Sequence, residues 1–167
     1  MSRITTDQLR DAVLDEDSFI SWDTPPLEVP ISESYARDLA DVRAATGRDE
    51  SVLTGEGRVL GRRVAVVACE FDFLAGSIGV AAAERITAAM ERATSQRLPL
   101  LASPSSGGTR MQEGTVASLQ MVKIAAAVRL HKQAHLPYLV YLRHPTTGGV
   151  FASWGSLGHV TVAEPGP

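Results

Sequence analysis

One cysteine, Cys69, is all that 167 residues contain, so neither an intrachain disulfide nor a four-cysteine zinc ribbon can form. Positive charge is not in excess either. The formal net charge is −3, which leaves no chain-wide basic field for nucleic acid. No stretch reaches membrane-spanning length without charge, and the opening MSRITTDQLRDAVLDEDSF is polar and acidic, unlike a signal peptide. The cytoplasm is therefore the expected compartment, with no membrane partner. The glycines follow neither the Walker spacing nor G-x-G-x-x-G. A hydrophobic content of 44% and a charged content of 21% fit a soluble globular domain, or part of a larger one.

The most informative stretch is LPLLASPSSGGTRMQEG, residues 98–114. An apolar run short enough for a buried strand breaks into small turn-forming residues, and a helix-forming stretch follows from Met111 or Gln112 to about Ala134. Strand, glycine-rich turn and helix together aim backbone N–H groups at an anion. Gly107 and Gly108 let backbone approach a ligand with no Cβ between. Three readings stay open at this point: a phosphate site, an oxyanion hole, or an ordinary tight turn between strand and helix.

The rest of the chain repeats the pattern. Residues 5–15 predict a short helix capped by Thr6, with Leu9, Val13 and Ala12 inward. Residues 18–30 carry Pro25, Pro26 and Pro30 and read as an irregular connection anchored by Phe19 and Trp22. A helix follows Ser32, with Tyr35, Leu39 and Val42 inward and Gly47 as its stop. Residues 56–60 and 63–73 predict paired strands about Gly61, and VAVVACEFDF suits a central strand. A helix then runs to about Gln96 with Ile78, Ala82, Ile86, Ala89 and Ala93 on one face. Residues 116–130 are apolar almost all round, which predicts a fully buried helix. Met121 reads as core and Lys123 as a snorkelling surface residue. LPYLVYL, residues 136–142, is the next strand. His131 and His135 have metal spacing but no bracketing carboxylate or cysteine, so no metal site is expected.

Four motifs carry a resemblance. Ser106-Gly107-Gly108-Thr109-Arg110-Met111-Gln112-Glu113-Gly114 resembles Ser-Gly-Gly-Ala-Arg-Met-Gln-Glu-Gly of the carboxyltransferase β-type subunits of biotin-dependent acyl-CoA carboxylases. Asp72-Phe73-Leu74-Ala75-Gly76-Ser77-Ile78-Gly79 is similar to their Asp-Phe-x-x-Gly-Gly-Ser-Met-Gly loop, with Ala75 for one glycine. His144-Pro145-Thr146-Thr147-Gly148-Gly149-Val150-Phe151-Ala152-Ser153 is similar to Asp-Pro-Thr-x-Gly-Gly-Val-x-Ala-Ser, and residues 157–166 to Leu-Gly-Asp-x-x-x-Ala-Glu-Pro-Gly. His144 and His159 stand where that family has aspartate.

The resemblance implies an α/β, crotonase-like (ClpP/crotonase) spiral of ββα units, incomplete at the C-terminus. It divides the chain into an N-terminal extension, 1–31, and a partial carboxyltransferase domain, 32–167. It implies carboxyl transfer from carboxybiotin to acetyl-CoA or propionyl-CoA through an oxyanion-stabilised enolate, as in malonyl-CoA formation for fatty acid biosynthesis. By motif match the amides of Gly107 and Gly108 are the oxyanion donors. Gly76, Ser77, Gly79, Ser106, Thr109, Gly148 and Gly149 are substrate-facing, and Arg110 with Glu113 holds the turn while Gln112 caps the helix. The implied cofactor is biotin, carried by a partner biotin carboxylase or carrier subunit, in a homo- or hetero-oligomer. The alternatives are a hydratase, isomerase or decarboxylase of the same superfamily with Glu113 as its carboxylate, or an inactive truncated fragment. The missing zinc ribbon points to the ribbon-less subunits of the family.

Overall fold

A computed structural model describes residues 3–165. Helix α1 (Thr6–Val13) and strand β1 (Ile20–Ser21) precede helix α2 (Glu33–Thr46) and the antiparallel strands β2 (Val52–Val59) and β3 (Arg62–Cys69). Helix α3 (Val80–Ser95), strand β4 (Leu100–Ser103), helix α4 (Gly114–Gln133) and strand β5 (Tyr138–Leu142) follow. A short helical turn, α5 (Gly148–Val150), leads through an irregular turn to β6 (Val160–Ala163). The six strands form one sheet in sequence order. β1 to β3 pair antiparallel and β3 to β6 parallel.

The period of two along β3 divides the molecule into layers. Ala65, Val67 and Cys69 face the main core, shared with Ile86 and Met90 of α3 and Ile124 and Val128 of α4. Val66 and Ala68 face the other way, onto Leu9 of α1 and Leu14 just beyond it. Residues 3–21 are therefore docked on the sheet. Thr6 donates its N–H to Glu70 and its hydroxyl to the Cys69 carbonyl, and β1 pairs with β2.

Several boundaries differ from the sequence reading. The N-cap of α1 is Thr5, with Gln8 completing a capping box, because Thr6 turns inward and is buried; Ala12 is exposed. α2 begins at its Ser32 cap and ends at a left-handed Gly47, with Tyr35 and Leu39 buried, as the spacing predicts. β2 starts at Val52, earlier than residue 56. α4 is not buried all round. Ala117, Met121, Ile124 and Val128 form one inward stripe, while Val116, Leu119 and Val122 lie exposed on the opposite side. Leucine, valine and alanine do not mark an outer face by polarity, so the stripe was hidden. Lys123 pairs with Glu84, both partly exposed. Among the described residues no helix is long and apolar enough to cross a membrane.

Candidate active site

Parallel strands β3, β4 and β5 end in register on one side of the sheet, and each runs into one of the glycine-rich loops. Ligands of open α/β sheets collect beyond such carboxyl ends. Backbone hydrogen bonds stitch the three loops together. Gly107 N–H donates to the Ala75 carbonyl at 2.9 Å, Ile78 N–H to Gly108 at 3.0 Å, and Arg110 N–H to Ile78 at 2.9 Å. On the other flank Ser106 N–H donates to Pro145 at 2.7 Å and Thr147 N–H to Ser106 at 3.0 Å. The motifs separated in sequence thus form one continuous surface.

Within that surface the expected residues divide. Gly107 is exposed, and a Cβ there would meet nothing closer than 3.7 Å. Gly108 is held at φ +122°, a conformation that favours glycine, and its N–H donates to Ser106 Oγ at 3.0 Å. Both amides expected to be free donors therefore have acceptors within the chain. The Gly107 bond is to a backbone carbonyl, whereas the Gly108 bond is to the side chain of buried Ser106, whose hydroxyl in turn donates to the Gly108 carbonyl at 3.3 Å. Gly148 packs across from Gly108, and Gly149 lies against Thr109 and Met121. Gly76 and Gly79 pack closely against the chain itself. Both are buried, and a Cβ would strike the Ser105 carbonyl at the first and the Glu113 carboxylate at the second. The Ser77 carbonyl is likewise occupied, by Ser51 Oγ and Arg110 Nη2.

Behind the turn lies a buried polar cluster. Arg110, 1% exposed, donates Nη2 to Glu50 Oε1 at 2.5 Å and Nη1 to Glu50 Oε2 at 3.0 Å, a bidentate pair. It also donates to Ser51 Oγ, the Ser77 carbonyl and the Tyr35 hydroxyl. Burial alone would lower the Arg110 pKa, but the hydrogen bond and charge of Glu50, with Tyr35, outweigh it and raise the value. Glu113, expected as Arg110's partner, is only its secondary one at 3.7 Å. Its Oε1 accepts from the Tyr35 hydroxyl at 2.7 Å, and its Oε2 accepts the Val80 N–H at 2.6 Å, which caps α3 from outside that helix. Burial and the Glu113 acceptor push the Tyr35 pKa up, so the phenol stays protonated and donating. Gln112 is exposed and makes no cap; α4 begins after a single helical turn, Met111–Glu113, without a side-chain cap.

Three histidines are structural. His131 is buried with its ring nitrogens against Thr94 Oγ1 and the Pro137 carbonyl, and exposed His135 takes a left-handed φ at the end of α4. His159 Nδ1 accepts the Tyr138 N–H at 3.0 Å, a task that an aspartate oxygen would do equally, so the replacement keeps the bond between β5 and the start of β6. Among the described residues no group of three or more His, Cys, Asp or Glu side chains is placed to hold a metal ion.

Glu50 was not found from the sequence. Its pairing with Arg110 spans 60 residues. Tyr35 was visible only as an inward residue of α2.

The model of the carboxyl transferase domain matches residues 5–167. A probable biotin-dependent acyl-coenzyme A carboxylase beta3 subunit of Mycobacterium bovis is 84% identical over 166 residues, which is 99% of this chain and 34% of that protein. The acetyl-coenzyme A carboxylase carboxyl transferase subunit beta of Agrobacterium fabrum is 47% identical over 141 residues, 84% of this chain and 47% of that one. The chain thus spans about a third of the length of the mycobacterial relative. In three dimensions the transcarboxylase 12S core superposes with a TM-score of 0.78 at 24% identity, over 96% of this chain and 30% of that one. The decarboxylase hetero-dimer from Pseudomonas gives 0.73 at 20% identity over 96% of this chain and 61% of that one. The fold is the crotonase-like α/β fold expected from the motifs. On the family match over nearly its whole length, the chain belongs to the carboxyl transferase domain family.

Proposed function

We propose that the chain supplies the acyl-CoA-facing part of a carboxyltransferase, the component of an acetyl-CoA or propionyl-CoA carboxylase that places a carboxyl group on the α-carbon of the thioester. Malonyl-CoA formation for fatty acid biosynthesis, in the cytoplasm, is the corresponding setting. Biotin, carried by a partner carrier subunit, would supply the carboxyl group and a nitrogen base for the α-proton. The whole enzyme would be an oligomer, as the transcarboxylase hexamer is.

One observation carries the reading: a turn without side chains, exposed at Gly107 and buried at Gly108, sits at the junction of three loops and is backed by backbone hydrogen bonds. The thioester oxygen needs an N–H donor where negative charge develops in the enolate. Gly108 N–H meets that need once the Ser106 side chain changes its χ1 rotamer and gives up both of its bonds to Gly108. Gly107 keeps the space in front of it open, and its bond to Ala75 keeps the turn from moving. Thr109, Gly148 and Gly149 complete the wall.

The hydratase alternative loses its carboxylate. Both Glu113 oxygens are engaged, by Tyr35 and by the first turn of α3, so this side chain is a poor general base. Deuterium wash-in at the α-carbon of propionyl-CoA tests the distinction. With acyl-CoA and the protein but no biotin, exchange is expected to stay at the solvent rate; exchange above it would reveal a protein base and overturn the carboxyltransferase reading.

A further inference from the structure

Glu50 belongs to none of the glycine-rich motifs, yet it is 2% exposed and meets Arg110, whose backbone directly follows the Gly107-Gly108-Thr109 turn. The residues around it form a brace. Glu50 Oε1 accepts the Ser51 N–H at 2.6 Å, and Ser51 Oγ donates to the Ser77 carbonyl at 2.9 Å while accepting from Arg110 at 3.1 Å. Arg110 reaches that same Ser77 carbonyl at 2.7 Å. One dipeptide at the start of β2 therefore holds the first loop by Ser77 and the second by Arg110. The preceding residue lies outside the brace: Asp49 forms a bidentate pair with Arg85 of α3, at 2.9 and 2.8 Å.

We propose that Glu50 is a positioning residue for the candidate site: acting through Arg110, it sets the distance between the first loop and the Gly107–Gly108 turn, and so the aim of the Gly108 N–H. Arg110 has five donors in a fixed plane, and Glu50 engages two of them bidentately. Without that carboxylate the guanidinium keeps Ser51, Tyr35 and Ser77 but loses its one bidentate, charged partner, and the turn shifts with it. Three backbone bonds, Gly107 to Ala75, Ile78 to Gly108 and Arg110 to Ile78, join the two loops, and the Glu50–Arg110–Ser77 contacts add the side-chain link between them. Asp49 provides the internal control. It anchors the same segment but reaches α3, not the turn.

The inference rests on the acyl-CoA reading for its functional consequence, though not for its structural one. The test uses the full 167-residue chain. Amide resonances of Ser77, Gly107 and Gly108 are compared by heteronuclear NMR in wild type, Glu50→Gln and Asp49→Asn, and affinity for propionyl-CoA is measured by calorimetry. In Glu50→Gln the three resonances are expected to move and affinity to fall about tenfold, in the range that small misplacements of a site produce. In Asp49→Asn both are expected to stay at wild-type values. Should Glu50→Gln not fold, Glu50→Asp, which keeps the charge but shortens the reach, is expected to shift the same three amides. Unchanged amides in the folded Glu50 variant, or equal shifts in Asp49→Asn, would overturn the proposal. Absence of propionyl-CoA binding by wild type would count against the proposed function alone, because the amide comparison still decides the role of Glu50.

Discussion

Arg110, after the turn that follows β4, and Arg143, directly after β5, are each 1% exposed, and they accommodate a buried cation in opposite ways. Arg110 meets a carboxylate, Glu50, which raises its pKa. Arg143 has no carboxylate within ion-pair distance among the described residues and donates to oxygen dipoles: Ser103 Oγ, and the carbonyls of Ser103, Cys69 and Ile4. Burial lowers its pKa, against weaker opposing pulls from Cys69, Glu70 and Glu164. The partners show what each region is for. Arg110 ties two loops of the candidate site to β2, whereas Arg143 ties the N-terminal segment to the sheet.

Removing each guanidinium breaks the comparison open. Arg110→Met leaves Glu50 buried without its counter-charge, a situation that costs about 3–5 kcal/mol. Chemical denaturation should report that loss. Arg143→Met strands only neutral oxygens, three carbonyls and Ser103 Oγ, each unsatisfied buried acceptor costing about 1–3 kcal/mol. Its effect should centre on α1, read as faster hydrogen exchange at residues 9–13. Equal losses from the two variants, spread evenly over the chain, would erase the distinction between the regions.

The loop-bearing region was largely legible in the sequence, and the polar clusters were not. Apolar runs ending in Pro-Ser-Ser-Gly-Gly or Pro-Thr-Thr-Gly-Gly announce strand and turn by local chemistry, and Ser32 and Gly47 mark the ends of α2 in the same way. Glu50 and Arg110 are joined only by tertiary structure. No periodicity or spacing distinguishes a buried carboxylate from a solvated one 60 residues away. Gly76 and Gly79 illustrate a related point. A glycine kept for close approach looks the same whether the approaching group is a ligand or the chain's own Ser105 and Glu113. The outer face of α4 was hidden because apolar residues occupy both of its sides.

A smaller effect separates the core from its edges by pH. Burial lowers the pKa of His131, so the folded chain resists protonating it, while the unfolded chain takes up the proton near pH 6.5. Stability should be flat above about pH 6.5 and fall as pH drops below that value toward the folded pKa. His131→Gln should flatten this part of the curve, as measured by thermal melts between pH 5 and 8. The smallest change is expected at the sheet edge, where Val162 of β6 is exposed. Val162→Lys should alter stability by no more than about 0.5 kcal/mol in the same melts.

The central claim, that the Gly107–Gly108 turn receives the acyl thioester, is tested most directly by calorimetric titration of propionyl-CoA into wild type and Gly107→Val. A valine at this exposed position meets no chain atom nearer than 3.7 Å at its Cβ, so the fold and its melting temperature should be kept. The account predicts measurable binding by wild type and its loss in Gly107→Val at unchanged stability. Equal affinity for the two proteins would contradict it.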